Sequence, residues 1–146
     1  MRSHPTLRKL FPPLAALCLL SVWATGASAQ SSAPDPVASL RSAKLIYVQS
    51  SSILVGTSVI EEKLQKRPEF LQMGLMITRD PNAADLILEV DHDVFTKFVY
   101  TAVDARSKIL VAGGKLSSLG GTVADKVAKR FLKQMMKARA TAPAKS

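Results

Sequence analysis

The sequence has few of the residues that build disulfides, zinc sites and aromatic binding surfaces. Its 146 residues include one Cys, two His and one Trp, and aromatic residues make up 5% of the chain. This scarcity excludes a disulfide-stapled miniprotein and argues against a zinc site or a base-stacking nucleic-acid surface. Acidic residues are also scarce, with 11 Asp and Glu against 20 Lys and Arg and a net charge of +9. At 47% apolar residues, the chain can form one domain with a hydrophobic core and is not a disordered polyelectrolyte.

The first 29 residues predict a secretory signal peptide. Arg2, Arg8 and Lys9 supply a positive N-terminal region, and an apolar stretch of about 15 residues follows, which is short of the ~20 needed to span a bilayer. Residues 27–29 read Ala-Ser-Ala, the small-x-small pattern that signal peptidase accepts. We therefore expect cleavage after Ala29 and a protein in the periplasm or secreted. The alternative is a retained N-terminal anchor, which the short apolar stretch disfavours.

Cys18 does not fit a lipoprotein signal. Leu17 precedes it where lipidation needs a small residue, and the apolar run continues beyond it. Cleavage after Ala29 would remove this cysteine, which is the only one, so the exported protein could form no disulfide. Its stability would then come from packing, which suits an oxidising compartment without proving one.

The remaining sequence divides into three parts. Residues 30–42 are rich in Ser, Ala and Pro and predict a flexible leader, residues 43–139 predict a single α+β domain, and residues 140–146 predict a disordered tail. Within the domain the predicted element order is β-α-β-β-β-β-α. We expect a mixed sheet with both helices on one face, and no transmembrane segment after the signal peptide.

Hydrophobic patterns place the predicted strands and helices. The β-rich runs are Lys44–Gln49, Leu75–Arg79, Asp85–Val94, Thr96–Asp104 and Ile109–Leu116. The first and third runs are candidates for a parallel pair joined by a right-handed crossover, and the last three for an antiparallel meander.

Ser58 and Glu61 predict the capping box of a helix that ends or bends at Arg67, before Pro68. The closing helix is predicted from Val123 to about Arg139. Gly113-Gly114 inside the last strand indicates a bulge or a close backbone approach.

This arrangement resembles a small bacterial envelope domain. Residues 84–90 read Ala-Asp-Leu-Ile-Leu-Glu-Val and carry most of the likeness, which in outline covers residues 43–139. Similar domains form the N-terminal module of the Tol-Pal translocation protein TolB and occur in the curli secretion lipoprotein family. The chain lacks the β-propeller that follows in the first and the lipidated cysteine of the second. The resemblance implies a non-catalytic envelope module and transfers no functional residue.

The closing helix carries the most informative charge pattern. At 100° per residue, five cations fall within about 100° of arc, opposite the apolar face. They are Lys126, Lys129, Arg130, Lys133 and Lys137, and we call them the basic face. Such a face can bind lipid phosphates, an acidic polysaccharide or an acidic protein, although a helix packed on a sheet also needs a polar outer side. Export and the absence of aromatic residues among these cations disfavour nucleic acid.

Other polar clusters predict chemistry less well. His92 lies between Asp91 and Asp93, but alternate residues of a strand point to opposite faces, so His92 should project away from both carboxylates. An all-oxygen Ca²⁺ site using Glu89, Asp91 and Asp93 is conceivable but lacks a Gly-punctuated loop. A Ser-His-Asp triad would need His92 and one of the serines at 50–52, none of which lies in a Gly-x-Ser-x-Gly turn. We predict no catalytic residue, no cofactor and no metal.

Taken together, the patterns predict an exported, non-catalytic binding or assembly module of the cell envelope. Recognition would use the basic face or an exposed sheet edge, to which a partner could add a strand. One alternative is an electrostatic binder of anionic lipid or polysaccharide through the basic face. A second alternative is a small hydrolase or metal-dependent enzyme that gathers His92 with acids from other strands.

Overall fold

The computed structural model describes residues 35–93, 96–118 and 122–141. The predicted signal peptide and its cleavage site lie outside these residues. The elements in chain order are helix α1 (Pro36–Ser42), strand β1 (Leu45–Ser50), helix α2 (Thr57–Gln65), helix α3 (Pro68–Gln72), strands β2 (Met76–Thr78), β3 (Leu86–His92), β4 (Lys97–Asp104) and β5 (Leu110–Ser117), and helix α4 (Val123–Ala140).

The predicted α+β fold class is confirmed. The five strands form one mixed sheet in the order β2-β1-β3-β4-β5. Strand β1 pairs in parallel with both β2 and β3, while β4 pairs antiparallel with β3 and with β5. The parallel pair of the first and third strands and the terminal antiparallel meander were both predicted. This order leaves β2 and β5 at the two edges of the sheet.

Alternation along the strands explains why the helices cover one face of the sheet. In β3 and β4, every second side chain is buried and the intervening ones are partly or fully exposed. The buried set packs against α4, which also contacts α1, α2 and α3. Burial of each large apolar side chain stabilises the fold by about 1.5–3 kcal/mol before entropy is counted. The largest fully buried side chains include Tyr100, Phe98, Phe131, Ile46, Ile60, Leu64, Leu86, Leu88, Leu132 and Met135.

Two helices were not predicted. Helix α1 lies at the end of the segment predicted as a flexible leader; Asp35 caps it by accepting the N–H of Val37 at 2.9 Å, and Pro36 occupies its first turn. Helix α3 begins at Pro68 and follows α2 closely. In both cases a proline at the first helical position starts a helix, because its fixed φ suits that position and its missing N–H has no helical acceptor there. Pro68 therefore ends α2 and also opens α3.

The predicted capping box of α2 is wrong. The helix begins at Thr57, with Gly56 as its N-cap and no side-chain hydrogen bond to the cap. Glu61 is buried instead, and its Oε2 accepts a hydrogen bond from Arg79 Nη2 at 2.8 Å. The carboxylate is thus paired with a tertiary partner and not with the helix N-terminus.

Of the two alternatives predicted for Gly113-Gly114, a bulge or a close backbone approach, the structure shows the close approach at these residues. The register between β4 and β5 shifts between Ala102 and Val103, so the irregularity precedes the glycines. The glycines serve the close approach: a Cβ on Gly114 would lie 3.0 Å from Tyr100 Oη, and one on Gly113 would lie 3.1 Å from the Tyr100 carbonyl. Gly114 therefore lets the ring of Tyr100 lie against β5.

Candidate functional site

The basic face forms the solvent side of α4. All five of its cations are exposed, whereas the opposite side of the helix is buried in the core. This separation follows from the sequence, because apolar residues recur at three- and four-residue steps and the cations fill the remaining positions. The five side chains nevertheless belong to two rows that contact different surroundings.

The first row lies along the edge strand β5. Lys126 Nζ donates to the carbonyl of Ser117 at 3.3 Å, Arg130 Nη1 to that of Lys115 at 2.5 Å, and Gln134 Nε2 to that of Gly113 at 3.1 Å. These donors are spaced four residues apart on the helix, and the acceptors two apart on the strand. Four helical residues rise about 6 Å and two strand residues about 6.6 Å, so the two spacings match. We call Lys126, Arg130 and Gln134 the capping row.

The capping row limits where a partner could add a strand to an exposed sheet edge. Alternate residues of an edge strand direct their carbonyls away from the sheet, where an incoming strand would bind them. On β5 three such carbonyls are occupied by side chains of α4. The other edge, β2, is three residues long and offers a short ladder. Strand addition at β5 would have to displace these donors from α4.

The second row consists of Lys129, Lys133 and Lys137, and we call it the outer row. These side chains are exposed, and within the described ranges none of them makes an ion pair or a side-chain hydrogen bond. The ion pairs found there join Lys66 to Glu62, Arg67 to Asp125 and Arg79 to Glu61. Among the described residues, the outer row is therefore a line of three positive charges without an ion-pair partner.

A groove of about 320 Å³ lies between α4 and β5. Its lining includes Lys115, Arg130, Lys133 and Lys137 and contains no acidic residue among those that the structure describes. The ring of Tyr100 reaches this groove beside the glycine pair. Burial raises the pKa of the Tyr100 phenol, and the positive charge of Arg130 opposes part of that rise. The phenol therefore carries its proton at neutral pH and can donate a hydrogen bond.

Tyr100 is the residue of this site that the sequence did not indicate. Its position in a strand predicted only a core or sheet-surface aromatic, and its burial agrees with that interpretation, since 1% of the residue is exposed. The only sequence feature that pointed to this site was the pair Gly113-Gly114. It predicted a close approach to the strand but not that Tyr100 is the residue that approaches. Pairing of Tyr100 with Gly114 becomes apparent only from the strand register.

His92 and Asp91 contact different neighbours. The imidazole ring lies 4.8 Å from the ring of Phe98, its cross-strand neighbour. Asp91 points to the other face and accepts a hydrogen bond from the Ser51 hydroxyl. Alternation in the strand thus separates His92 from Asp91, as predicted.

The remaining candidates for catalysis or metal binding have structural roles. Ser50 Oγ donates to the carbonyl of Val55 at 2.7 Å, and Ser52 Oγ accepts the N–H of Leu54 at 3.2 Å, so both shape the loop after β1. Glu89 accepts a hydrogen bond from Gln49 Nε2 at 3.0 Å. In the part of the chain that the structure describes, no three His, Cys, Asp or Glu side chains are grouped to hold a metal ion. Among the same residues, no helix combines the length and apolarity needed to cross a membrane.

Comparison with known proteins gives low similarities. No protein-family model and no curated protein sequence matches the chain. Among solved structures, a variant of the PelC dodecamer from Paraburkholderia phytofirmans is 13% identical, with 65% of this chain and 88% of that chain covered and a TM-score of 0.40. Uncharacterized lipoprotein B from Nitrosomonas europaea is 13% identical, covering 67% and 79% of the two chains, with a TM-score of 0.30. At these scores the likenesses assign no function, and the resemblance to TolB and curli secretion domains stays a prediction.

Proposed function

We propose that this protein is an exported, non-catalytic binding module of the cell envelope that recognises an anionic partner through the basic face of α4. Export rests on the predicted signal peptide, and recognition rests on the charge of the helix. The partner classes that fit are an anionic lipid and an acidic polysaccharide, because both present phosphate or carboxylate groups to solvent. The sequence predicted recognition through the basic face or through an exposed sheet edge. The proposal selects the basic face, because side chains of α4 already bind three carbonyls of the β5 edge.

The observation that carries this proposal is the unneutralised outer row. Lys129, Lys133 and Lys137 follow one another at four-residue intervals, so their Cα atoms are about 6 Å apart along the helix axis. At that spacing the fields of the three ammonium groups add, and within the described ranges none is paired with a carboxylate. A juxtamembrane cation contributes about 1 kcal/mol to binding an anionic surface, so three of them favour measurable association at moderate salt.

The test is charge reversal of the outer row. Purified protein is mixed with vesicles containing phosphatidylglycerol, and separately with polygalacturonate, over a series of NaCl concentrations. We expect binding to at least one probe, weakening steeply with salt because the charges are exposed. The triple variant Lys129→Glu, Lys133→Glu, Lys137→Glu should lose about a hundredfold or more in affinity.

A matched variant separates a specific surface from net charge. Lys44→Glu, Arg106→Glu, Lys108→Glu changes the net charge by the same amount at exposed positions outside α4. We expect this variant to retain most of the affinity. Equal losses in the two triple variants would refute a binding role for the basic face. Unchanged thermal stability of both variants would show that the fold survives the substitutions.

A further inference from the structure

The groove between β5 and α4 adjoins an apolar groove beside α1. This second groove has a volume of about 360 Å³ and is lined by Val37, Leu40, Val111, Ala112 and Ala138, among others. Gln134 and Lys137 line both grooves, so the two volumes are adjacent. One end is therefore surrounded by cations, and the other by aliphatic side chains. Each volume lies at the lower end of the range for small-molecule sites.

The cationic end contains the hydroxyl of Tyr100, whose ring is buried. Tyr100 is 1% exposed, yet its hydroxyl makes no hydrogen bond with any residue that the structure describes. Its Oη lies 3.0 Å from the position that a Cβ on Gly114 would take, so the glycine leaves the hydroxyl open on the groove side. The hydroxyl can therefore donate a hydrogen bond to a ligand oxygen in the groove.

The charges at this end specify the sign of the ligand. Arg130 uses one of its five N–H donors on the Lys115 carbonyl, and its guanidinium can offer others to the groove. Lys133 and Lys137 stand on the same wall without carboxylate partners among the described residues. A negatively charged head group can meet these cations and the Tyr100 hydroxyl together.

We propose that the two adjacent grooves bind one anionic amphiphile, with its head group at Arg130, Lys133 and Tyr100 and its aliphatic chain passing Gln134 to lie against Val37, Leu40 and Val111. This inference rests on the proposed function and selects a single lipid-like molecule as the ligand. An acidic polysaccharide matches the cationic end but offers nothing apolar to the aliphatic end. A flat bilayer surface can meet the exposed lysines but cannot reach a buried phenol.

The test uses dodecyl phosphate below its micelle concentration, with affinity measured by calorimetry on the purified protein. Two control compounds test the two parts of the ligand separately. Inorganic phosphate has the charge without the alkyl chain, and dodecyl maltoside has the alkyl chain without the charge. We expect dodecyl phosphate to bind at least about tenfold more tightly than either control, because only it fills both ends. Equal affinity for inorganic phosphate or for the maltoside would overturn the inference.

Variants locate the ligand in the groove. Tyr100→Phe should weaken dodecyl phosphate binding about three- to tenfold by removing one charge-assisted hydrogen bond, without lowering thermal stability, because the hydroxyl has no partner among the described residues. Val37→Ser should weaken binding of dodecyl phosphate but not of inorganic phosphate. Lys133→Ala should weaken both, whereas Lys44→Ala is the matched control, since Lys44 is an exposed lysine outside α4 and outside the lining of both grooves.

The outcomes separate this inference from the proposed function. If vesicles or polygalacturonate bind while dodecyl phosphate does not, the groove proposal fails and the basic face remains a binding surface. The groove proposal also fails if Lys44→Ala and Lys133→Ala weaken dodecyl phosphate binding equally and Tyr100→Phe has no effect. If none of the anionic probes binds at low salt, both proposals fail.

Discussion

The capping row and the outer row of α4 have the same spacing in sequence but different surroundings. Lys126, Arg130 and Gln134 face β5, and each donates to a carbonyl of that strand. The outer row, formed by Lys129, Lys133 and Lys137, lies farther round the helix and leaves its ammonium groups in solvent. Positive charge on one helix therefore serves two purposes, protection of a sheet edge in one row and an exposed electrostatic surface in the other.

The comparison indicates how an edge strand can be protected without being shortened. Strand β2 is only three residues long, so it offers few unpaired groups, whereas β5 has eight residues and needs cover. Side chains from the helix that follows β5 supply this cover. The arrangement also leaves room between strand and helix for the groove at Tyr100, because Gly113 and Gly114 present no side chain there.

The largest expected effect on stability comes from adding a side chain at Gly114, where the ring of Tyr100 lies against β5. In Gly114→Ala the new Cβ would lie 3.0 Å from both Cε1 and Oη of Tyr100, and the buried ring would have to move. We expect a loss of about 1–3 kcal/mol in the free energy of unfolding, as for other overpacked sites. Urea denaturation measures it.

Gly56→Ala is the matched control for this substitution. A Cβ at Gly56 would have as its nearest neighbour Ser58 Oγ at 3.9 Å, an ordinary contact, and the backbone φ there is −69°. Its cost should stay below about 1 kcal/mol, the usual value for a changed N-cap. If Gly114→Ala were no more destabilising than Gly56→Ala, the close approach of Tyr100 to β5 would be wrong.

A smaller effect should distinguish the two rows directly. Arg130→Ala removes the donor to the Lys115 carbonyl and should lower the free energy of unfolding by about 0.5–1.5 kcal/mol. Lys133→Ala removes an equal charge from the outer row and should change it by less than about 0.5 kcal/mol. Urea midpoints of the two variants, measured side by side, give the comparison. Equal stability losses would show that the capping row has no structural role.

Most of the fold could be predicted from the sequence because its strands carry clear local patterns. The run from Asp85 to Val94 is apolar and then alternates, and it forms β3 in the middle of the sheet, with β1 parallel to it. The helices at Pro36 and Pro68 were missed because proline was taken to end or exclude helices, although it also starts them. The capping box failed because the tertiary partner of Glu61, Arg79, lies 18 residues away.

The candidate site was predictable only in part. Helical periodicity is local, so it placed all five cations on one face of α4. It could not divide them into two rows, because that division depends on which side of the helix meets β5. Tyr100 was hidden for the same reason: its place in the groove comes from its register with Gly114, and register is a property of two strands together.

The smallest expected effect concerns the turn that sets this register. Asp104 Oδ1 accepts hydrogen bonds from the N–H of Ser107 at 2.7 Å and of Arg106 at 3.1 Å, which closes the turn between β4 and β5. The backbone N–H of Ser107 is the main cause that holds the pKa of Asp104 below its ordinary value, and burial opposes it. A carboxyl that is more acidic when folded stabilises the protein above its unfolded pKa. That contribution is lost as the pH falls through the folded pKa.

Asp104→Asn should therefore be slightly less stable than the unchanged protein at pH 7, and the difference should shrink progressively as the pH falls below the unfolded Asp pKa of about 3.9. Thermal midpoints at a series of pH values measure this. Ser107→Ala is the control, because it removes the hydroxyl but keeps the backbone N–H, so most of the pH dependence should remain. A difference between Asp104→Asn and the unchanged protein that persists undiminished at low pH would mean that the charge of Asp104 does not hold the turn. The position of β5 beneath the capping row would then depend on strand pairing alone.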